Sequence, residues 1–310
     1  MQVEEEFARS SLTRDALVTI GVFDGVHLGH KALLSSLKEL ATKQKLATVA
    51  VTFSPHPQTI LSPGTKPLYL TDTVEKSGLL KKEGIDSIVV LSFTRELADL
   101  GAREFLTLLK KHLRMRGLVI GPDFMLGRHG EGNIETLRAL GKEMDFTVTV
   151  IPPVKINGEV VSSTAIRNAL AKCDMDKVRR LVGRPYLLHG RVVHGTGRGT
   201  SLGIPTANME LDPAQALPAD GVYVTRAYVE GKAYRAVTNI GKSPTFGGGK
   251  RTAEAHLLDF KGDLYGRELR VEFVQKLRDE KKFGSPDELM RQIAEDIKRG
   301  RAILSEEAKT

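Results

Sequence analysis

Several things are scarce in this chain of 310 residues, and each scarcity excludes something. A single cysteine, Cys173, rules out an internal disulfide and fits a reducing compartment. Long apolar runs are missing: the cleanest, such as 46–53, are of strand length, so no segment is expected to span a bilayer. The amino terminus, MQVEEEFARSS, is acidic and lacks the basic-then-apolar order of a secretory signal. No low-complexity tract occurs, and no positive run is dense enough to look like a nucleic-acid arm. A cytoplasmic protein is expected, whose partners are small molecules rather than nucleic acid or membrane. Its oligomeric state is left open.

What is present is ordinary for a soluble protein, with 41% hydrophobic and 27% charged residues. The net charge of +8, from 46 basic and 38 acidic residues, is scattered along the chain and suits polyanionic phosphate ligands as well as nucleic acid. The length suits two domains, each able to bury its own core.

The first half alternates apolar runs with amphipathic segments. Strands are expected at 18–23, 46–53, 87–93, 118–121 and 146–151. Helices are expected at 27–44, from the Asp72/Glu75 capping box to near Gly84, and at 102–113 and 134–144. Continuous apolar strands separated by helices predict a doubly wound parallel sheet covered on both faces, with ligands at the carboxyl ends of its strands. Two short helices, 164–172 and 174–182, follow. After Gly183-Arg184-Pro185 the apolar period drops toward two, with runs at 187–193, 222–229, 232–239, 253–260 and 269–277. Glu230-Gly231 is placed as a tight hairpin turn. These predict a small antiparallel β-barrel closed off by a C-terminal helix starting at Ser285-Pro286-Asp287-Glu288, whose apolar stripe is Leu289, Ile293 and Ile297. The expected domains are 1–183 and 184–310.

The strongest chemical signal is Gly21-Val22-Phe23-Asp24-Gly25-Val26-His27-Leu28-Gly29-His30, where the first strand turns into the first helix. Backbone N–H groups of such a turn and the helix N-terminus favour phosphate. His27 and His30 share a face of the first helical turn, where two imidazoles can stabilise charge developing on a phosphoryl group. Gly29 leaves room for a nucleotide against the backbone. Further on, Ser162, Ser163 and Thr164 form a helix cap, and Arg167 follows on the same face. Such a cap with a guanidinium beside it is a second anion site; a plain cap with a solvent arginine is the alternative.

In the second half, five glycines lie between Gly190 and Gly203, among them Gly195, so the backbone can wrap a phosphate chain. It is not a Walker A loop, which would need Gly-Lys-Ser/Thr. The run ends in Pro205-Thr206-Ala207-Asn208.

Taken together, these segments resemble the bacterial bifunctional riboflavin kinase/FMN adenylyltransferase (FAD synthetase) family, whose first domain is an HxGH nucleotidyltransferase. The 21–30 segment is similar to that family's HxGH turn. The resemblance extends to Thr52-Phe53-Ser54-Pro55-His56-Pro57, Gly121-Pro122-Asp123-Phe124-Met125-Leu126-Gly127 and Val161-Ser162-Ser163-Thr164-Ala165-Ile166-Arg167. In the second half it includes Pro205-Thr206-Ala207-Asn208, Gly221-Val222-Tyr223, Asn239-Ile240-Gly241, Pro244-Thr245, Glu254, and Leu277 to Glu280 with Phe283.

The resemblance implies phosphorylation of riboflavin by Mg-ATP in the second domain and adenylylation of FMN by ATP in the first. It implies ATP contacts at Gly21, Phe23, Asp24, Gly29, Ser163 and Thr164, with His27, His30 and Arg167 catalytic. It implies ATP contacts at Gly195, Gly203, Thr206 and Asn208 in the second domain, with magnesium at Thr206 and Asn208 and Glu254 as general base. Flavin contacts are implied at Pro55, His56, Pro57, Asp123, Phe124 and Arg278. Several of these carry a second reading from the residues alone. Asp123 suits an ordinary loop carboxylate, Phe124 suits core packing, and His56 suits shaping its loop. Leu126 stands where the family has an aromatic residue. His194, His256 and Cys173 read as structural. Two rivals are weighed: a monofunctional nucleotidyltransferase with a decayed barrel, and a basic RNA-binding protein on an HxGH fold. The intact Thr206, Asn208 and Glu254 set speaks against the first. The scattered charge and missing aromatic-basic interleaving speak against the second.

Overall fold

The computed structural model describes residues 2–62, 64, 67–195, 203–242 and 251–307. Within it the chain forms two compact units, Met1–Ser163 and Thr164–Thr310.

The first unit is a five-stranded parallel sheet in the order β3-β2-β1-β4-β5, formed by β1 (Ala16–Ile20), β2 (Ala47–Ser54), β3 (Ser87–Ser92), β4 (Met115–Ile120) and β5 (Thr147–Val150). Its central strands read as unbroken apolar runs because both faces are covered. In β1, Ala16, Val18 and Ile20 enter the core shared with α1 (Gln2–Arg9), α6 (Ala102–Leu113) and α7 (Ile134–Met144). Leu17 points the other way, into the core under α2 (Leu28–Gln44) and α4 (Thr73–Lys82). Helix boundaries follow local chemistry. Asp72 caps α4 by accepting from the Glu75 N–H at 2.7 Å, and Asn133 caps α7 through Thr136 at 2.9 Å. The sheet order reverses between β1 and β4, which makes their carboxyl ends the switch point where open α/β sheets bind ligands.

Helices α8 (Ser163–Ala171) and α9 (Met175–Val182) lie ahead of Gly183, yet nearly all of their length belongs to the second unit. The cause is packing. The Leu170 carbonyl accepts from the Ala219 N–H at 3.2 Å, and α9 buries Met175, Val178, Leu181 and Val182 as it packs on β8 (Tyr186–Val193) and β13 (Glu268–Arg278).

The second unit is a closed barrel in the order β10-β11-β12-β9-β8-β13, completed by β9 (Ala207–Glu210), β10 (Gly221–Val229), β11 (Lys232–Lys242) and β12 (Arg251–Leu257). Glu230 and Gly231 both take positive φ, 49° and 82°, as the two-residue β10–β11 turn requires. In β12, Ala253, Ala255 and Leu257 point into the barrel, while Glu254 and His256 stand half-buried on its outer face. The last helix, α10 (Pro286–Glu307), packs Ile297, Ile303 and Leu304 against Val222, Val224, Val237 and Leu277. The glycine-loop residues 196–202, with Gly197 and Gly199, and the segment 243–250, with Pro244 and Thr245, lie outside the described residues.

Candidate functional site

In the first unit the site is a turn held under tension. Phe23 and Val26 take positive φ, 51° and 37°, which costs about 1–3 kcal/mol each for non-glycine residues. Neighbouring elements hold them there. Buried Asp24 accepts the Leu70 and Thr71 N–H groups at 2.7 and 3.1 Å, and the Gly25 N–H donates to Thr71 Oγ1 at 3.0 Å. Thr52 Oγ1 donates to the Val22 carbonyl at 3.0 Å, and Ser163 Oγ donates to the Asp24 carbonyl at 2.9 Å. Asp24 therefore spends its carboxylate on the turn. Phe23 is fully buried, and its ring meets His30 edge-on at 5.2 Å.

The turn delivers two imidazoles stacked face to face, 3.6 Å between centroids. His27 is the N-cap of α2, and its Nδ1 accepts from the His30 N–H at 3.3 Å. A neutral His27 thus carries its proton on Nε2. His30 keeps part of its surface accessible, but its Nδ1 is buried with no hydrogen-bond partner. Burial drives its pKa well below the ordinary histidine value, and the neighbouring His27 and Lys76 charges push the same way. His30 is neutral at pH 7. Gly29 has no room for more than hydrogen, since a Cβ would stand 3.1 Å from both the His27 ring and the Val161 carbonyl. Gly21 and Gly121 follow β1 and β4 directly, and a Cβ on Gly121 would meet nothing within 4 Å. The switch-point crevice is open there.

Around this turn the other expected residues divide. His56 caps α3 (Pro57–Leu61) by accepting from the Gln58 N–H at 3.2 Å, with Pro57 in the first helical turn; Pro55 follows a cis peptide bond. The loop is shaped by the same residues expected at the flavin. Asp123 is exposed just after β4, Phe124 is half-buried against the core, and Leu126 is buried and bridged to Gly132. Ser163 opens α8, and its hydroxyl is the one that donates to the Asp24 carbonyl; Thr164 follows it, and Arg167 lies one turn further along the helix. Lys76 escaped the sequence reading. It is buried at 5% exposure on α4, its Nζ donates to the Phe53 carbonyl at 3.1 Å, and burial lowers its pKa while Asp24 and Asp72 oppose the change. Its place one turn before Leu80 on the buried face was the available signal.

In the second unit the site is a row of side chains. Glu254 on β12 pairs across to Asn208 on β9 and to Asn239 on β11, and directly opposed residues share a sheet face. The amide of Asn208 fills the space above Gly195, where a Cβ would come within 2.3 Å of it. His256 bonds the Pro205 carbonyl at 2.8 Å; a carbonyl only accepts, so Nδ1 carries the proton there. That bond steadies the start of Pro205-Thr206-Ala207-Asn208. Gly203 takes φ of 73° with open space around it.

Two cavities lie beside this row. One of about 590 Å³ runs between the outer barrel face and α10, lined by Thr206, Asn239, Glu254, Arg278, Phe283 and Ile293 among others. A smaller one, about 120 Å³, is walled by Ala207, Leu257, Phe260, Leu264 and Tyr265. Thr206 lines both. The stripe Leu289, Ile293, Ile297 forms the helical wall of the larger one. The Glu280 carboxylate takes a bond from Asn239 Nδ2 at 3.2 Å and lies over Gly241, which gives the Asn239-Ile240-Gly241 glycine its reason. In Gly221-Val222-Tyr223, by contrast, Tyr223 is a packing residue, fully buried with its hydroxyl donating to the Ala219 carbonyl at 2.6 Å.

Comparison with known proteins fits this division. Residues 9–165 match the FAD synthetase family model and residues 182–304 the riboflavin kinase model. The bifunctional riboflavin kinase/FMN adenylyltransferase of Pseudomonas fluorescens is 40% identical over 95% of both chains. The chain belongs to that bifunctional family. The Escherichia coli (strain K12) relative of the same description is 40% identical over 90% of both chains, and that of Listeria monocytogenes is 33% identical over 93% of this chain and 92% of its own. A solved structure from Streptococcus pneumoniae, described as a macrolide-efflux protein, superposes with a TM-score of 0.88 at 32% identity over 97% of both chains. The efflux description stays with that protein; among the described residues here no helix is long and apolar enough to cross a membrane. As a family member the chain is a riboflavin kinase and an FMN adenylyltransferase, and the residues expected at its two sites, Arg167 apart, fall in the two matched intervals. Arg167 lies between those intervals, and Ser163 and Thr164 lie at the end of the first.

Proposed function

We propose that riboflavin is phosphorylated to FMN at the barrel cavity and that FMN is adenylylated to FAD at the strand–helix turn of the first unit. The observation that carries the assignment is Thr206 lining both barrel cavities beside Glu254, since a phosphoryl donor and its acceptor must meet at one point. The larger cavity has the size and apolar wall for a tricyclic flavin, and the smaller, mixed polar and apolar one suits a nucleoside base. Glu254 takes the proton of the riboflavin 5′-hydroxyl as its oxygen bonds to the γ-phosphorus of ATP and ADP leaves. Thr206 and Asn208 offer neutral oxygen donors beside the Glu254 carboxylate, a set that fits hard magnesium. Those two residues would hold the cation together with phosphate oxygens of ATP and water. When bound, the cation neutralises charge on the transferring phosphates.

In the first unit an FMN phosphate oxygen attacks the α-phosphorus of ATP and pyrophosphate departs. The chain supplies no nucleophile. Backbone N–H groups of the 21–30 turn and the α2 N-terminus, with the Nε2 proton of His27 and the ring of His30, stabilise charge in the transition state. Ser163 serves the leaving pyrophosphate, and Pro55, His56, Pro57, Asp123 and Phe124 face the flavin side. Chromatography of the products made by the whole chain from riboflavin and Mg-ATP tests the reading. FMN should appear first and FAD after it. FMN without FAD, or no flavin nucleotide at all, would overturn the corresponding half.

A further inference from the structure

The larger barrel cavity has two walls from separate elements, and one buried ion pair joins them. Arg278 is the last residue of β13; Asp296 lies midway along α10 with its side chain 2% exposed. Arg278 Nη2 donates to Asp296 Oδ2 at 2.8 Å, and its Nε lies 3.0 Å from Oδ2 and 3.2 Å from Oδ1. Gln292 Nε2 adds a bond to Oδ1 at 3.1 Å. Both carboxylate oxygens are thereby occupied, so Asp296 has little capacity left for a substrate hydroxyl. Arg278 is fixed on its other sides too. Its Nη1 donates to the Asp279 carbonyl at 3.0 Å, and its guanidinium lies 5.7 Å from the centroid of the Phe283 ring. Both partners and Phe283 line the cavity, opposite Val222, Val237 and Glu254 of the barrel.

We infer that Asp296 is a positioning residue for flavin phosphorylation: acting through Arg278 and Phe283, it sets the separation between α10 and the barrel and thereby the fit of riboflavin. This rests on the assignment of that cavity to the flavin. A bidentate guanidinium–carboxylate pair fixes direction as well as distance, which suits a spacer between a strand end and a helix. It stands on the α10 side of the cavity, away from Thr206 and the smaller cavity. Loss of the pair should therefore be felt by one substrate.

The experiment is steady-state kinetics of the full chain carrying Asp296→Asn, with FMN adenylylation measured on the same preparation. The expected result is a riboflavin KM raised roughly tenfold or more, an ATP KM within about twofold of normal, and unchanged adenylylation. An unchanged riboflavin KM with only kcat reduced, or a parallel rise in both KM values, would overturn the inference. Breaking a buried pair from one side risks the fold. The variant Asp296→Glu therefore keeps the carboxylate and leaves Arg278 in place while lengthening the arm of the pair by one methylene. Normal adenylylation and a raised riboflavin KM in it support positioning, whereas a normal riboflavin KM shows the pair to be structural and removes the proposal. Failure of the wild-type chain to phosphorylate riboflavin would instead refute the assignment of the cavity.

Discussion

The two units present their ligand-facing groups by opposite means. In the first, the chemistry sits on backbone: a turn with two non-glycine residues at positive φ, the N-terminus of α2, and two histidines that cap and stack on it. In the second it sits on side chains lined up across strands, Asn208, Glu254 and Asn239, with Thr206 at the junction of two cavities. A turn built from many small contributions spreads its function over several donors, so one substitution removes a share of it. A cross-strand row gives each side chain a separate task, and one substitution removes that task entirely.

The largest expected effect therefore belongs to the row. Glu254→Gln keeps the shape and the cross-strand pairing but removes proton acceptance, and riboflavin phosphorylation should fall about 10²–10⁴-fold. Adenylylation of supplied FMN should persist. Separate assays of the two reactions on one preparation check this, and near-normal phosphorylation would erase the contrast by showing that Glu254 has no such task. His30→Ala is the counterpart in the first unit. Removing one preorganised donor from a set should cost about 10²–10³-fold in FAD formation, with FMN formation from riboflavin intact. Equal loss of both reactions would sink the assignment of separate sites.

How much of this contrast the sequence disclosed follows the same division. Elements with strong local signals were legible. The Asp72/Glu75 capping box and the apolar segments 102–113 and 134–144 placed α4, α6 and α7. The Glu230-Gly231 pair placed the β10–β11 turn. The histidine turn was legible because its chemistry is contiguous in the chain. Elements whose stability comes from elsewhere were not. Helix α1 shows only Val3 and Phe7 as buried residues, and β9 is four residues long. Asp296 carries no local signal, because its importance depends on meeting Arg278, which is distant in sequence. Lys76 was hidden for the same reason, since the partner of its ammonium is the Phe53 carbonyl at the end of β2. Arg278 was expected at the flavin and does line the cavity, but its donors are largely committed to Asp296, a commitment no local pattern reveals.

The smallest effect sharpens the comparison on stability rather than rate. His30 is held neutral in the folded chain by burial first, with the His27 and Lys76 charges adding to it, so its folded pKa lies below that of the unfolded chain. As pH falls through about 6.5 the unfolded chain takes up a proton that the folded chain refuses, and stability is lost with a slope of at most about 1.36 kcal/mol per pH unit. The contribution is complete above pH 6.5 and declines below it until the folded pKa is reached. Glu6 and Asp15, both held below their ordinary carboxylate values, protonate at lower pH and leave this window clear. Urea unfolding between about pH 7.5 and 5.5 should therefore show a shallower decline in His30→Gln than in the wild type, since glutamine keeps the bulk and cannot titrate. Because the barrel row holds no counterpart of this buried imidazole, the difference should appear in the transition of the first unit and not in that of the second. Identical pH slopes for the two proteins would mean that His30 is accessible to protons in the folded chain, and that the strained turn stabilises phosphate charge through a cationic rather than a neutral imidazole.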